Sequence, residues 1–404
     1  MIKTDVNVRG FTFSVCFENE RQQLLTTSKM NLYAQQTNRD NLSHWLTEDK
    51  KMKWNFKQLA LATAISSTLL MTTQANAGWF DKPEPTFAKT QYPIVMVGGA
   101  FAFDSAMGID YWYGITDALR EQGAEVYVTN LSSAELNEVR GEELVYDIEQ
   151  ILAFTGADKV NLIAHSQGAL ASRFAANDER LTDRIASVST SHAMNKGTHF
   201  SEGFRDTVEE GSTIEKLGVP LINVVFNTLE LLSANKDADD GDYDSPARGK
   251  QDLLRLAQAT DRDKVAQYAA DYTDMAVMPS QDCMTINNGE QGEVDPAFYG
   301  QTESNGIKFF SWGGNQYSTN ILDPLDSMLI PIFGLFVPEY KEEGGFQWDG
   351  LVPVCGQAIG KVIKLDYNAN HFDAINQLMG LGSWKLNIPA IYTKHANMLA
   401  QQGL

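Results

Sequence analysis

The sequence predicts an α/β fold: a mostly parallel central sheet with helices on both faces and a helical lid. Two observations carry this. Short apolar runs suited to buried strands alternate with segments of helical periodicity from Tyr92 to about Thr190, and that alternation calls for a parallel sheet covered on both sides. Within it, Lys159 to Ala176 reads as a buried strand, a sharp turn centred on Ser166, and a helix.

Taken in order, Tyr92 to Val97 (Tyr-Pro-Ile-Val-Met-Val) is a buried strand that runs into Gly98-Gly99. Trp112 to Gln122 has apolar residues at helical spacing and ends at Gly123, and Glu125 to Val128 is a second strand. Glu138 to Phe154 reads as an amphipathic helix with Val139, Leu144, Ile148, Ile151 and Leu152 near one face, stopped by Gly156. The Ser166 strand and helix follow, then a strand near Ile185 to Thr190. About Thr198 to Ala276 breaks the rhythm. Leu217 to Leu232 is apolar on more than one face and reads as a cap over the site, with an ordinary core helix as the competing reading. The acidic run Asp237 to Asp244 has the wrong spacing for a helix–loop–helix calcium site and is expected to be a solvated loop. Lys308 to Trp312 and Lys361 to Leu365 read as strands, and Asp373 to Met379 and Pro389 to Gln401 as closing helices.

The chain has 404 residues, of which the first 77 are expected to lie outside the folded domain. Lys50-Lys51-Met52-Lys53 and Lys57 form a positive patch, Leu59 to Met71 is mostly apolar, and Ala75-Asn76-Ala77 is a small-x-small site before Gly78. These are the three parts of a secretory signal peptide at 52–77, starting at Met52. The apolar run of about 13 residues is short for a bilayer, so a membrane anchor is the weaker alternative. Residues 1–51 are polar without clear periodicity and are expected to be an over-extended start or a disordered leader. Residues 78–404 then form one large domain, with the lid inserted at about 198–276.

That domain holds 23 basic and 46 acidic side chains, a net charge of −23. The balance argues against nucleic acid or anionic membranes as partners. Of three cysteines, Cys16 falls in the leader. Cys283 and Cys355 remain, an even pair for which one disulfide is the default in an exported chain and two buried thiols the alternative.

A serine squeezed between a strand end and a helix start has its hydroxyl exposed on a tight bend. Small residues two before (Ala164) and two after (Gly168) let strand and helix approach. The bend also lies at a helix N-terminus, which favours negative charge. Such a serine suits nucleophilic attack on an acyl group; the bland alternative is a serine in an ordinary βα loop. Its hydroxyl needs a base. The domain offers His165, His192, His199, His371 and His395. His165 adjoins the serine and is expected to point away, and His395 lies within the terminal helix. His371 follows a strand and a short polar loop, Asp366-Tyr367-Asn368-Ala369-Asn370, suited to holding an imidazole over a sheet edge. Asp349 is the expected acid, with Asp326, Asp366 and Asp373 as rivals. The order Ser166…Asp349…His371 is the one expected of α/β-hydrolases. Two backbone donors are needed for the developing oxyanion: the N–H of Gln167 and, from the loop after the first strand, that of Ala100. The glycine pair before Ala100 has a simple turn as its alternative.

From Tyr92 to Leu404 the chain resembles the foldase-dependent bacterial triacylglycerol lipases, the pseudomonad-type true lipases of family I. The matching stretches include Ala102-Phe103-Asp104, Asp110-Tyr111-Trp112-Tyr113-Gly114-Ile115, Gly123 to Thr129, Glu138-Val139-Arg140-Gly141-Glu142, Lys159 to Ser166, Leu322-Asp323-Pro324, Asp349-Gly350-Leu351-Val352 and Asn370-His371-Phe372-Asp373. The resemblance implies Ser166, Asp349 and His371 as nucleophile, acid and base. It also implies a structural calcium ion (Ca2+) held by the carboxylates of Asp323 and Asp373 and the carbonyls of Gln377 and Leu381. It pairs Cys283 with Cys355, puts Leu217–Leu232 in a mobile lid, and implies a periplasmic, membrane-tethered lipase foldase as partner. The implied activity is hydrolysis of carboxylic esters at an oil–water interface by a secreted enzyme without a stable membrane anchor. A short-chain carboxylesterase and a non-catalytic lipid- or partner-binding module on the same scaffold are the rival readings. Some positions depart from the family: Gly98-Gly99 replaces His-Gly, Ala100 stands where Met or Leu is usual, Ala164 replaces the first elbow glycine, and Ser189 to Phe200 lacks the usual Pro-His-x-Gly pattern.

N-terminal sequencing of the exported protein is expected to begin at Gly78; a start near Met1 contradicts the signal peptide.

Overall fold

The computed structural model describes residues 2–8, 11–17, 85–100, 105–106, 109–207, 252–271, 302–326 and 347–404. The expected signal segment, the apolar run Leu217–Leu232, the acidic run Asp237–Asp244 and Cys283 lie outside the described residues. The chain divides into two units, Met1–Phe80 and Asp81–Leu404. In the first, β1 (Ile2–Val8) and β2 (Phe11–Phe17) pair antiparallel in the register Ile2↔Phe17. This is regular structure where the sequence reading expected none. The signal lies in Val6-Asn7-Val8 and Phe11-Thr12-Phe13-Ser14-Val15, a period-two alternation around Arg9-Gly10.

The second unit is built on a seven-stranded sheet. In chain order its strands are β3 (Ile94–Val97), β6 (Val126–Thr129), β7 (Val160–His165), β8 (Ile185–Ser191), β9 (Glu303–Ser304), β10 (Ile307–Gly314) and β11 (Lys361–Tyr367). Two short strands, β4 (Ser105–Ala106) and β5 (Ile109–Asp110), pair separately. The spatial order is β11-β10-β8-β7-β3-β6, all parallel, with β9 antiparallel to β10. Among the described residues the helices are α1 (Ile115–Glu121), α2 (Asn137–Thr155), α3 (Gly168–Asn177), α4 (His199–Thr207), α5 (Leu253–Thr260), α6 (Arg262–Asp271) and α7 (Ile388–Gln401).

Alternation along the central strands feeds two cores. On one face Val95 and Val97 of β3 and Leu162 and Ala164 of β7 pack with Leu144, Ile148 and Ile151 of α2 and Leu170 and Phe174 of α3. On the other, Ile94, Met96 and Ile163 meet Ile115 and Leu119 of α1 and Ile388, Tyr392 and Ala396 of α7. Each fully buried Leu or Ile contributes about 1.5–3 kcal/mol through lost apolar exposure. Val139, placed on the buried face by sequence, is instead 39% exposed. It lies in the first turn of α2, where Arg140 takes the interior position.

The predicted helix Asp373–Met379 is reduced to a single 3-10 turn, Asp373–Ile375. Asn376, Met379 and Gly380 have positive φ, and the Gln377 side chain bonds the Tyr111 carbonyl at 3.2 Å rather than leaving the backbone free to coil. Among the described residues no helix is long and apolar enough to cross a membrane.

In parallel strands all carboxyl ends lie on one side, where open α/β sheets bind ligands. Here Gly98, Ser166, His192 and Asn315 each directly follow one of the strands.

His395 of α7 is buried, with its ring 4.6 Å from that of Trp312 and its Nε2 2.7 Å from Ser189 Oγ. Burial pulls its pKa down from 6.5 to about 3. The unfolded chain therefore binds this proton first, so stability is full above pH 6.5 and is lost as pH falls toward about 3. In a series of thermal midpoints against pH, His395→Gln is expected to show a flatter acid-side slope than the wild type; equal slopes contradict the assignment.

Candidate active site

Strand β7 ends at His165 and α3 begins at Gly168, which leaves Ser166 and Gln167 to make the bend. Ser166 takes the left-handed conformation, φ 55°, a costly backbone state for a non-glycine residue that surrounding contacts must enforce. Its N–H donates to the Ser191 carbonyl at 3.3 Å, and its carbonyl accepts from Met194 N at 3.2 Å. Close approach explains the small residues. A Cβ on Gly168 would lie 2.6 Å from the carbonyl oxygens of Val97 and Gly98, and one on Gly99 would lie 2.5 Å from Ser166 Cβ.

Three chain-distant side chains meet at this bend. Ser166 Oγ is 2.9 Å from His371 Nε2, and His371 Nδ1 is 2.9 Å from Asp349 Oδ2. An ionised carboxylate only accepts, so Nδ1 carries the imidazole proton and Nε2 is left to accept from the serine hydroxyl. Asp349 is held independently: its Oδ1 accepts from Leu351 N at 3.0 Å and Val352 N at 2.7 Å. Its backbone carbonyl accepts from His371 N at 2.8 Å, clasping the two loops together. Burial alone would push the Asp349 carboxyl up, but the charge and hydrogen bonds of His371 and His192 outweigh it and hold the group below the usual carboxylate range.

The rival acids are engaged elsewhere. Asp326 accepts from Asn320 N at 2.7 Å and from the Asn370 amide, Asp366 faces solvent beside Lys364, and Asp373 accepts from Asn370 N at 2.8 Å and Ser383 N at 2.9 Å. His165 does not reach the serine, yet it is part of the surroundings. Gly99 N donates to Tyr111 Oη, whose proton goes to His165 Nδ1 at 2.7 Å, and His165 Nε2 donates to the His371 carbonyl at 3.0 Å. Burial, reinforced by His371 and His192, keeps His165 neutral by lowering its pKa well below 6.5.

The loop after β3 is anchored by Arg140. Its fully buried guanidinium donates to the carbonyls of Gly98 at 2.7 Å, Gly99 at 3.0 Å, and Ser132. Ala100 follows directly, half-buried. Gln167 caps the start of α3, its side chain fixed on Glu135 O at 2.9 Å and Asn137 Oδ1 at 3.1 Å. Ala100 also borders an apolar recess with Met194, Phe200, Phe204, Leu253, Leu256 and Leu351. Helices α4 and α5 form its wall, and the Arg262–Glu202 and Arg205–Asp261 ion pairs tie α4 to the junction between α5 and α6.

Among the described residues two groups could serve a cation. His192, Asp349 and His371 form a buried His-His-Asp set with donor atoms within 4.8 Å, a geometry able to coordinate a metal ion. Apart from it lie the expected calcium residues. Asp323 and Asp373 are buried, and both are coupled to Asp326. Burial raises the Asp373 carboxyl to about 7. The Leu381 carbonyl accepts from the Asn320 amide, and the Gln377 side chain, unlike its expected carbonyl donor, is committed to the Asp110–Tyr111 backbone. Clustered buried carboxylates are the donor chemistry of a hard cation.

Two contributors were missed by sequence. Arg140 sat within a helix whose period assigned it no role, and only its burial reveals it. His192 is one of the five histidines the sequence offers as a base and receives no further role from it; its place directly after a strand end is the available signal.

Residues 92–209 match the family model of the alpha/beta hydrolase fold. The chain is 34% identical over 349 residues to a triacylglycerol lipase of Vibrio cholerae serotype O1 (strain ATCC 39315 / El Tor Inaba N16961), spanning 86% of this chain and 98% of that protein. It is 29% identical over 382 residues to a triacylglycerol lipase of Burkholderia plantarii, spanning 88% and 97%. A triacylglycerol lipase of Pseudomonas fragi shares 31% identity over 321 residues, spanning 78% and 98%.

The Gly99–Ser166 contact is testable by stability. Gly99→Ala overpacks the bend and is expected to cost about 1–3 kcal/mol, read as a lowered calorimetric midpoint; an unchanged midpoint contradicts the contact.

Proposed function

Because the chain belongs to the lipase and esterase family of α/β-hydrolases, we propose that it is a secreted triacylglycerol lipase that cleaves acylglycerol esters through an acyl-enzyme on Ser166. The observation that carries this reading is the buried relay Ser166–His371–Asp349, with both hydrogen bonds at 2.9 Å.

In this mechanism His371 Nε2 takes the hydroxyl proton as Ser166 Oγ attacks the ester carbonyl. The imidazolium that forms is stabilised by Asp349, which stays ionised because its hydrogen bonds and neighbouring imidazoles outweigh its burial. The N–H groups of Ala100 and Gln167 hold the oxyanion, a contribution of about 2.7–4 kcal/mol per donor in comparable sites. His371 then returns the proton to the leaving alcohol, and water, deprotonated by the same base, releases the fatty acid. Ala100 borders the apolar recess, which supports seating the acyl chain beside the oxyanion.

The apolar run Leu217–Leu232 serves as a lid that opens at an oil–water interface. Asp323 and Asp373, with the carbonyls of Gln377 and Leu381, would hold a structural Ca2+. Bound there, the ion supplies positive charge that neutralises buried carboxylates. Asp373 lies two residues from His371, so its ties to Asn370 and Ser383 set the loop that carries the base. Cys283 pairs with the buried Cys355, and a membrane-tethered foldase assists folding in the periplasm before export.

Ser166→Ala is expected to lower turnover of an emulsified triacylglycerol by about 10⁴-fold or more. Wild-type-like turnover contradicts the nucleophile. Triolein emulsion is expected to be hydrolysed as readily as dissolved tributyrin, whereas activity on tributyrin alone favours a short-chain esterase. EDTA is expected to lower the melting midpoint and added Ca2+ to restore it; an unchanged curve contradicts the calcium site.

A further inference from the structure

His192 is a buried imidazole that this mechanism leaves unused. It directly follows β8 and is 2% exposed. Its Nδ1 lies 3.0 Å from Asp349 Oδ2, the same oxygen that His371 Nδ1 reaches at 2.9 Å. Several features show that the fold makes room for this second imidazole. His192 holds a left-handed backbone, φ 47°, an uncommon state for a non-glycine residue, although one in which histidine is enriched with asparagine and aspartate. Its N–H donates to the Trp312 carbonyl at 3.0 Å, fixing it against β10. Across from the ring stands Gly314, where a Cβ would come within 2.6 Å of His192 Cε1.

We propose that His192 is a positioning residue for the hydrolytic reaction: its Nδ1–H fixes the Asp349 carboxylate in the rotamer that presents Oδ2 to His371. The proposal rests on the reading of His371 as the base. Its physical content is a count of donors. Oδ1 is held by two backbone amides of its own turn, which constrain that oxygen. Oδ2 takes its hydrogen bonds from the two imidazoles alone among the bonds resolved. Without His192, Oδ2 depends on His371 itself, the group that must reorient as the proton moves from the serine to the leaving alcohol. A second, immobile donor keeps the carboxylate in place through that motion. Burial lowers the pKa of His192 despite the carboxylate beside it, which suits a neutral donor that orients without competing for the proton.

Three variants test this on soluble p-nitrophenyl butyrate. His192→Leu removes the donor, and His192→Asn keeps an N–H near the Nδ1 position and tolerates the positive φ. His371→Ala controls for the base. His192→Leu is expected to lower kcat about 10- to 100-fold, the worth of a hydrogen bond to a charged group, with KM nearly unchanged. His192→Asn is expected to recover most of it. Low-field proton NMR in the Ser166→Ala background gives a readout independent of turnover. It is expected to show two imidazole protons bonded to carboxylate, with the His371 signal displaced in His192→Leu and restored in His192→Asn. A folded His192→Leu enzyme with wild-type kcat, or a His192→Asn enzyme as slow as His192→Leu, overturns the role. His371→Ala with wild-type kcat overturns both readings, whereas an inactive His371→Ala beside a fully active His192→Leu overturns the positioning role alone.

Discussion

The site depends on one buried carboxylate. Asp349 is fully enclosed, and four N–H groups point at it: two amides of its own turn and two imidazoles. A charge removed from water is tolerable only when paired and hydrogen-bonded. That requirement is what draws the loops after β8 and β11 onto the segment carrying Asp349. The His371–Asp349 backbone bond, at 2.8 Å, then sets their register.

The sheet supplies the other half of the geometry. Parallel strands bring Gly98-Gly99, Ser166 and His192 to a common edge from β3, β7 and β8. Contacts below ordinary packing distance leave room only for glycine at 99 and 168. The left-handed Ser166 is therefore over-determined: its own backbone bonds Ser191 and Met194, while the β3 loop, tied to Arg140, presses against its side chain. Strain at the bend is offset by packing spread over two cores, so the hydroxyl, buried rather than exposed as the sequence predicts, is held rather than free to relax.

The strand–helix alternation and the elbow were legible because each is local. Val95 and Val97 against Ile94 and Met96 announce a two-faced strand, and Ala164 and Gly168 announce a tight bend. The separation of Ser166 from His371 by 205 positions was reached from chain order and the loop composition around Asn370, not from contacts. What stayed hidden depends on packing across the sheet. The value of Arg140 lies in carbonyls over forty residues away, and nothing in the helical period of α2 encodes it. His192 gains its meaning from Asp349, 157 positions on, and from a glycine that clears space for its ring. The segment after Ile375 misled for the opposite reason: its composition suits a helix, but Asn376 turns left-handed and Gln377 bonds the Tyr111 backbone.

In the proposed mechanism Ser166 is nucleophilic because His371 and Asp349 make it so. Peptide mapping by mass spectrometry after brief exposure to a fluorophosphonate tests it most directly. One adduct is expected, on Ser166, formed rapidly in the wild type and lost over the same interval in folded His371→Ala. An adduct on another residue, or equally rapid labelling of Ser166 without His371, would contradict it.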